Sequence, residues 1–167
     1  GSEKEICYSI IIDNDGNYLL TGESQSNDGD FLNQNKGRDD IFVIKLNKFF
    51  DKIWVKTYGG SESETGISII VNSKGHYLVS GVSRSNDQDL IGMNRGREDA
   101  YILEIDKDGN KVWLRTFGGD GNDCCNSIIY TSTNEYLISG ISSSNFNNFE
   151  TIKRNSSNIY FQKIKLK

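Results

Sequence analysis

The chain repeats itself at a fixed offset of 59 residues. Gly22, Gly81 and Gly140 keep that step, as do Asn27, Asn86 and Asn145, and Ser9, Ser68 and Ser127. Trp54 and Trp113 obey it too, and so do the pairs Gly59-Gly60 and Gly118-Gly119. No gap is needed over the 167 residues, which divide into repeats 1–59, 60–118 and 119–167, the last cut short. A long fixed period marks a stacked or closed architecture, in which each unit buries its apolar surface on the next. The fold question therefore reduces to what one unit is and how units meet.

One unit reads as four strands, clearest in the second repeat: "GISIIVN", "HYLVSGVS", "DAYILEID" and "KVWLRTFGG". Ile, Val and Tyr dominate these runs, as β-propensity favours. The turn "KDGN" between the last two is a strong hairpin signal. With no proline in the chain, turns must rest on Gly, Asn, Asp and Ser. Nothing carries a helical period. The third repeat ends before its tryptophan-bearing fourth strand, so eleven strands are expected.

The expected fold class is all-β, a single repeat domain over residues 1–167. Three units of four strands suit β-propeller-type blades, a β-trefoil or a β-prism. The apolar pattern favours blades. A sheet with one wet face alternates apolar and polar, whereas one covered on both faces reads as a nearly continuous apolar run. "YSIII", "IFVIKL" and "AYILEI" are nearly continuous. The second-strand glycines Gly22, Gly81 and Gly140 fit close approach by a neighbouring sheet.

The stretch from Trp54 through Tyr58-Gly59-Gly60 and Gly75-His76-Tyr77 to Trp113 resembles a known pattern. It is similar to the roughly sixty-residue β-propeller repeats of bacterial and archaeal surface and secreted proteins. There a Trp-x-x-x-[Tyr/Phe]-Gly-Gly stretch closes one blade. The resemblance implies a propeller fold and an extracellular or cell-surface setting, and it brings no shared chemistry. Three blades do not close a ring, since propellers use about four to eight. Either the chain is a fragment of a longer array, or two copies assemble into one ring; self-association as a dimer is expected.

Function is narrowed mainly by exclusion. A net charge of −4 does not suit nucleic acid or an anionic membrane surface. No apolar run approaches the ~18–20 residues of a spanning helix, so no membrane insertion is expected. No Ser–His–Asp set, zinc pattern or repeated carboxylate pair in an apolar setting stands out, so no enzyme is expected. The cysteines, Cys7, Cys124 and Cys125, read as free, small core residues. Trp54 and Trp113 read as inter-blade packing rather than sugar platforms. His76, alone at a turn, reads as a surface residue.

In a four-stranded meander the second-to-third loops and the links between units share one rim. That rim collects the loop 24–40 with the link "GGSESE", and the loop 83–99 with "GGDGND". Long loops on a rigid scaffold are where function concentrates. The candidate ligand-binding residues are Asn27, Asp28, Asp30, Asn35 and Asp40, with Asn86, Asp87, Asp89, Asn94 and Asp99 repeating them. Hard cations take six to eight oxygens of this kind, so Asp28, Asp30, Asp87 and Asp89 are candidate calcium ligands. The same residues also suit side-chain-to-backbone turns, with Asp40 and Asp99 anchoring the third strand. In the third loop Phe146 and Asn148 replace the acids. The expected function is a non-catalytic binding or adhesion module whose rim reads a protein or glycan. A structural spacer or oligomerisation domain is the alternative; no cofactor is expected beyond calcium.

Overall fold

The computed structural model describes residues 1–132, 135–144, 151–152 and 158–165. It is all-β, with three antiparallel sheets and no helix beyond 3-10 turns at Gly29–Phe31 and Gln88–Leu90 among the described residues. The first sheet runs β1 (Glu5–Ile12), β2 (Tyr18–Ser24), β3 (Asp40–Leu46) and β4 (Lys52–Tyr58) in simple order. The second repeats it with β5 (Glu64–Val71), β6 (Tyr77–Ser83), β7 (Asp99–Ile105) and β8 (Lys111–Phe117). The third contains β9 (Asp123–Ser132), β10 (Glu135–Ser142), a two-residue β11 (Thr151–Ile152) and β12 (Asn158–Lys165), ordered β9-β10-β12-β11. The third sheet departs from the expected strand count. It has three full strands, but β11 pairs with β12 on the flank that β4 and β8 occupy elsewhere, bringing the described strands to twelve.

The sheets pack face on face, and the middle one shows why its strands do not alternate. Tyr77, Val79, Tyr101, Leu103 and Ile105 turn toward the first sheet, where they meet Leu19, Ile41, Val43 and Tyr58. Leu78, Ala100 and Ile102 turn the other way, toward Cys125, Ile128, Ile138 and Tyr160 of the third. All seven residues of β7 are buried. At ~25 cal/mol per Å² of apolar surface, covering both faces is the main favourable contribution to the fold.

Each hairpin turn of the first two sheets is held by one side chain. Asp13 Oδ1 accepts the N–H groups of Asp15 and Asn17, both at 2.9 Å. Asn72 and Asp106 do the same at the matching turns of the second sheet. Gly16, Gly75 and Gly109 complete these turns at φ of 78°, 76° and 79°, where a glycine carries no steric penalty.

The second-strand glycines have a different cause from the expected one. A β-bulge interrupts the first strand of each sheet opposite them, between Gly66 and Ser68 in the second. It aims the Thr65 carbonyl at Gly81, as the Ile6 and Cys124 carbonyls are aimed at Gly22 and Gly140, and a Cβ there would overlap that oxygen. The close neighbour is a strand of the same sheet. Two further readings change. All three cysteines are free, but only Cys125 lies in the core; Cys7 is exposed, because no sheet covers that face. His76 is half-buried, with Nδ1 2.7 Å from Glu104 Oε1.

Candidate functional site

The long loops and the inter-sheet links do share a rim. The link 59–63 runs between the loops of the first and second sheets: Asp39 and Ser63 form a parallel bridge, Arg38 N–H donates to the Glu62 carbonyl and Glu64 N–H to the Asp39 carbonyl, while Arg84 N–H donates to the Ser63 carbonyl and Asp89 N–H to the Gly59 carbonyl. Glu98 and Asn122 bridge in the same way at the next junction.

The predicted ligand residues are employed inside this rim. Asp87 accepts the Ser61 N–H at 2.8 Å, and Asp28 accepts the Ser2 N–H at 2.8 Å. These bonds hold both carboxyls below their usual range. Asp30 pairs with Lys52. Asp89 is more enclosed: Lys36 reaches it from the preceding sheet's loop, Lys111 Nζ lies 2.7 Å away, and the Gly59 N–H donates to it at 3.2 Å. Burial raises the Asp89 pKa, but these three partners outweigh it and the shift is downward. Lysines thus supply the cations that pair with Asp30 and Asp89. Asn27 Oδ1 accepts the Asn35 N–H, and Asn35 in turn caps Gly37 and reaches the Ser24 carbonyl. Asn86 and Asn94 repeat this around Gly96 and Ser83. Among the described residues no group of three or more His, Cys, Asp or Glu side chains is arranged to hold a metal ion. Asn145, Phe146 and Asn148 lie outside the described residues.

Two features of the rim were not read from the sequence. The first is a serine latch. Ser26 Oγ accepts the Glu3 N–H at 3.0 Å, Ser85 Oγ the Glu62 N–H at 2.9 Å, and Ser144 Oγ the Gly121 N–H at 2.9 Å. Its signal was available, since Ser26, Ser85 and Ser144 keep the 59-residue step.

The second feature corrects the expectation that no repeated carboxylate pair exists. Asp40 and Glu64 flank Gly59: a Cβ on that glycine would sit 2.5 Å from Asp40 Oδ1 and 2.7 Å from Glu64 Oε2. Asp99 and Asp123 flank Gly118 in the same way, at 2.8 and 2.7 Å. All four acids are fully buried. Asp40 Oδ2 accepts the Lys36 N–H at 2.8 Å, while Oδ1 has no hydrogen-bond partner. Glu64 accepts from Gly60 N–H, Ser83 Oγ and Ser85 N–H. Burial, reinforced by the charge of Glu64 and opposed by the Lys36 N–H, pushes the Asp40 carboxyl up to about 7. Burial and the Asp123 charge push Asp99 to about 6.

The opposite rim, made of the short hairpin turns, holds a polar cleft of about 600 Å³ lined in part by Asp13, Lys74, His76, Tyr77 and Asp106. Two of its lining groups, Asp13 and Tyr77, bond to each other and to the buried Lys45. Lys45 Nζ lies 3.0 Å from Asp13 Oδ2 and 2.8 Å from the Tyr77 hydroxyl, which donates to Asp13 at 2.9 Å. Burial raises the Asp13 pKa, but hydrogen bonds from Asn17, Lys45 and Tyr77 overcome it and bring the carboxyl down to about 2.

The chain matches no protein-family model and no curated protein sequence. Trp54 faces the joint between sheets: its Nε1 donates to the Lys107 carbonyl at 3.3 Å and the Tyr58 hydroxyl to the Gly109 carbonyl at 2.6 Å, both across the junction, whereas Trp113 packs partly buried against the apolar cluster of the second and third sheets and gives its indole N–H to Glu104 of its own sheet.

Proposed function

We propose that the chain is a non-catalytic β-propeller-type repeat module of a surface or secreted protein, and that it binds a partner through the long-loop rim. The observation that carries this reading is what the rim leaves outward once its polar groups are engaged. Leu32 and Ile91, one repeat apart, are both exposed at the tips of loops otherwise pinned by serine latch, asparagine caps and carboxylate clasps. An apolar tip on a pre-ordered loop binds at low entropic cost, because the loop has already lost its freedom on folding. With the loop carboxylates engaged by lysines and backbone amides, the partner that fits is a protein surface rather than a cation. The propeller assignment draws support from the simple strand order of each sheet and from the middle sheet's burial on both faces.

The test is a peptide and glycan array probed with the wild-type chain and with Leu32→Ser/Ile91→Ser. These side chains are exposed, so the variant should melt as wild type does. Saturable binding that falls at least tenfold in the variant supports the rim; binding unaffected by the change removes it. A structural or oligomerisation role is the second reading, favoured by the two uncovered end faces.

A further inference from the structure

The repeat makes it possible to ask what a residue does when its neighbouring sheet is present and when it is absent. Ile10, Ile69 and Ile128 are equivalent positions on the first strand of each sheet. Ile69 is 2% exposed and Ile128 1%, each against the preceding sheet, whereas Ile10 is 59% exposed. Leu20 and Ile44 are half-buried on the same face, while their equivalents Val79 and Leu103 are fully buried. The far end mirrors this. Ile41 and Ala100, both 0% exposed against the following sheet, correspond to Ile159, which is 63% exposed. Val43 and Ile102, also 0%, correspond to Phe161 at 44%. The first sheet therefore presents the front half of an inter-sheet joint, and the third sheet presents the back half of the same joint.

We propose that these two faces are occupied by a second copy of this chain, joined end to end. The front of one copy's first sheet receives the back of the other's third sheet, and the reverse, so that two copies bring six sheets into one ring. The occupant follows from the joints inside the molecule. The fronts of the second and third sheets accept Leu19, Ile41 and Val43 in one joint and Leu78, Ala100 and Ile102 in the next; the first sheet carries the equivalent front, and Leu137, Ile159 and Phe161 are the next apolar set in that series. The polar side of the joint agrees. Residues 1–3 already lie in the latch of the first sheet, with Ser2 and Glu3 bonded to Asp28 and Ser26 as Ser61 and Glu62 are bonded to Asp87 and Ser85. The repeat position that carries Asp40 and Asp99 carries Asn158, so the sequence has no third acid at that step. Uncovered apolar faces of this kind on a soluble chain are interaction surfaces, and a heterologous contact made twice closes into a dimer.

Sedimentation velocity on the wild-type chain at roughly 50 µM should give twice the 18.8 kDa chain mass. Ile10→Asp and Phe161→Asp change exposed residues, so each variant should keep its melting transition and run as a monomer. Mixing the two restores one unaltered joint, because the intact front of one meets the intact back of the other; a heterodimer should appear that neither variant forms alone. A monomeric wild type overturns the proposal and leaves both faces to sheets of another chain. A mixture that stays monomeric while the wild type dimerises overturns the end-to-end geometry, and masses beyond a dimer overturn the ring. Leu32→Ser should leave the mass unchanged, which separates this pairing from the rim.

Discussion

Replacing Asp40 with asparagine should make the protein more stable at pH 8 and leave it nearly unchanged at pH 5. Asp40 is fully buried, beside Glu64, with Oδ1 unbonded and a carboxyl pushed from 3.8 to about 7. A folded-state pKa above the unfolded value means that the native state binds the extra proton. The stability this contributes is complete below about pH 4 and is lost as pH rises through 7. Every tenfold gain in proton affinity on folding corresponds to about 1.4 kcal/mol, so the whole window is worth on the order of 4 kcal/mol. Between pH 5 and pH 8 the loss is about two-thirds of that, or roughly 3 kcal/mol. For a chain of this length each kcal/mol moves the midpoint by about 2–4 °C, giving a fall of roughly 6–12 °C. Asparagine mimics the protonated acid: its oxygen still accepts the Lys36 N–H, and its amide presents a donor where the acid would present its hydroxyl.

The assay is thermal melting of wild type and Asp40→Asn from pH 5 to pH 8, read as the difference between the two. Taking that difference cancels the titrating groups that do not interact with Asp40. Asp99, raised to about 6 beside Asp123, contributes a smaller slope of the same sign that remains in both proteins. Asp13, held at about 2, acts in the opposite sense and only in acid, since its stabilisation is lost as pH falls below 4. A variant less stable by the same amount at every pH would refute the reasoning, because it would mean that Asp40 is needed as an ionised acceptor.

Three further changes probe the rest of the frame by melting or denaturant titration. Ser85→Ala removes a buried acceptor from the Glu62 N–H and should cost about 1–3 kcal/mol, with Asp87→Ala, whose bond is exposed, costing less. Lys45→Met strands the Asp13 carboxylate in the Asp13–Lys45–Tyr77 network; it should cost about 3–5 kcal/mol near neutral pH and shrink the further loss on acidification, as the Asp13 pKa rises toward its unfolded value. Gly81→Ala drives a methyl group into the Thr65 carbonyl at the bulge and should destabilise by at least about 3 kcal/mol, whereas Gly75→Ala meets no atom and carries only the strain of φ +76°.

How far the sequence could be read depends on whether a residue's partner is itself written in side chains. The strands of the second repeat were legible because burial on both faces erases polar alternation, and β7 is buried at every position. The turns were legible because Asn and Asp announce their own backbone bonds. The loop acids were not: the partner of Asp87 is a backbone N–H at Ser61, in a link that approaches only when two sheets stack. The acid pair was hidden for a related reason. Asp40 and Glu64 sit 24 residues apart in polar surroundings, and nothing local says that both will be buried. Their only advance sign was the repeat itself, which places acids at both positions again in Asp99 and Asp123, around a glycine at 59 and again at 118.

That pattern bears on what the loops are for. The first junction is held by three layers: apolar side chains between the sheets, a buried acid pair beside the glycine, and a latch of serine and carboxylate on the link's amides; the second repeats the apolar layer, the acid pair and the serine. Apolar contact alone is non-directional and would let one sheet slide on the next. The latch bonds have fixed geometry and fix the register between sheets, which is what the repeat must reproduce for successive joints to add into an arc. The two described long loops thus serve the joint first, and their exposed apolar tips are Leu32 and Ile91. If that order of duties is right, shortening a loop at its tip, by deleting Leu32-Asn33, should spare the melting transition. Removing Ser26 and Asp28 together should loosen residues 1–4 and speed their amide exchange without touching the strands, since those two side chains are what hold Ser2 and Glu3.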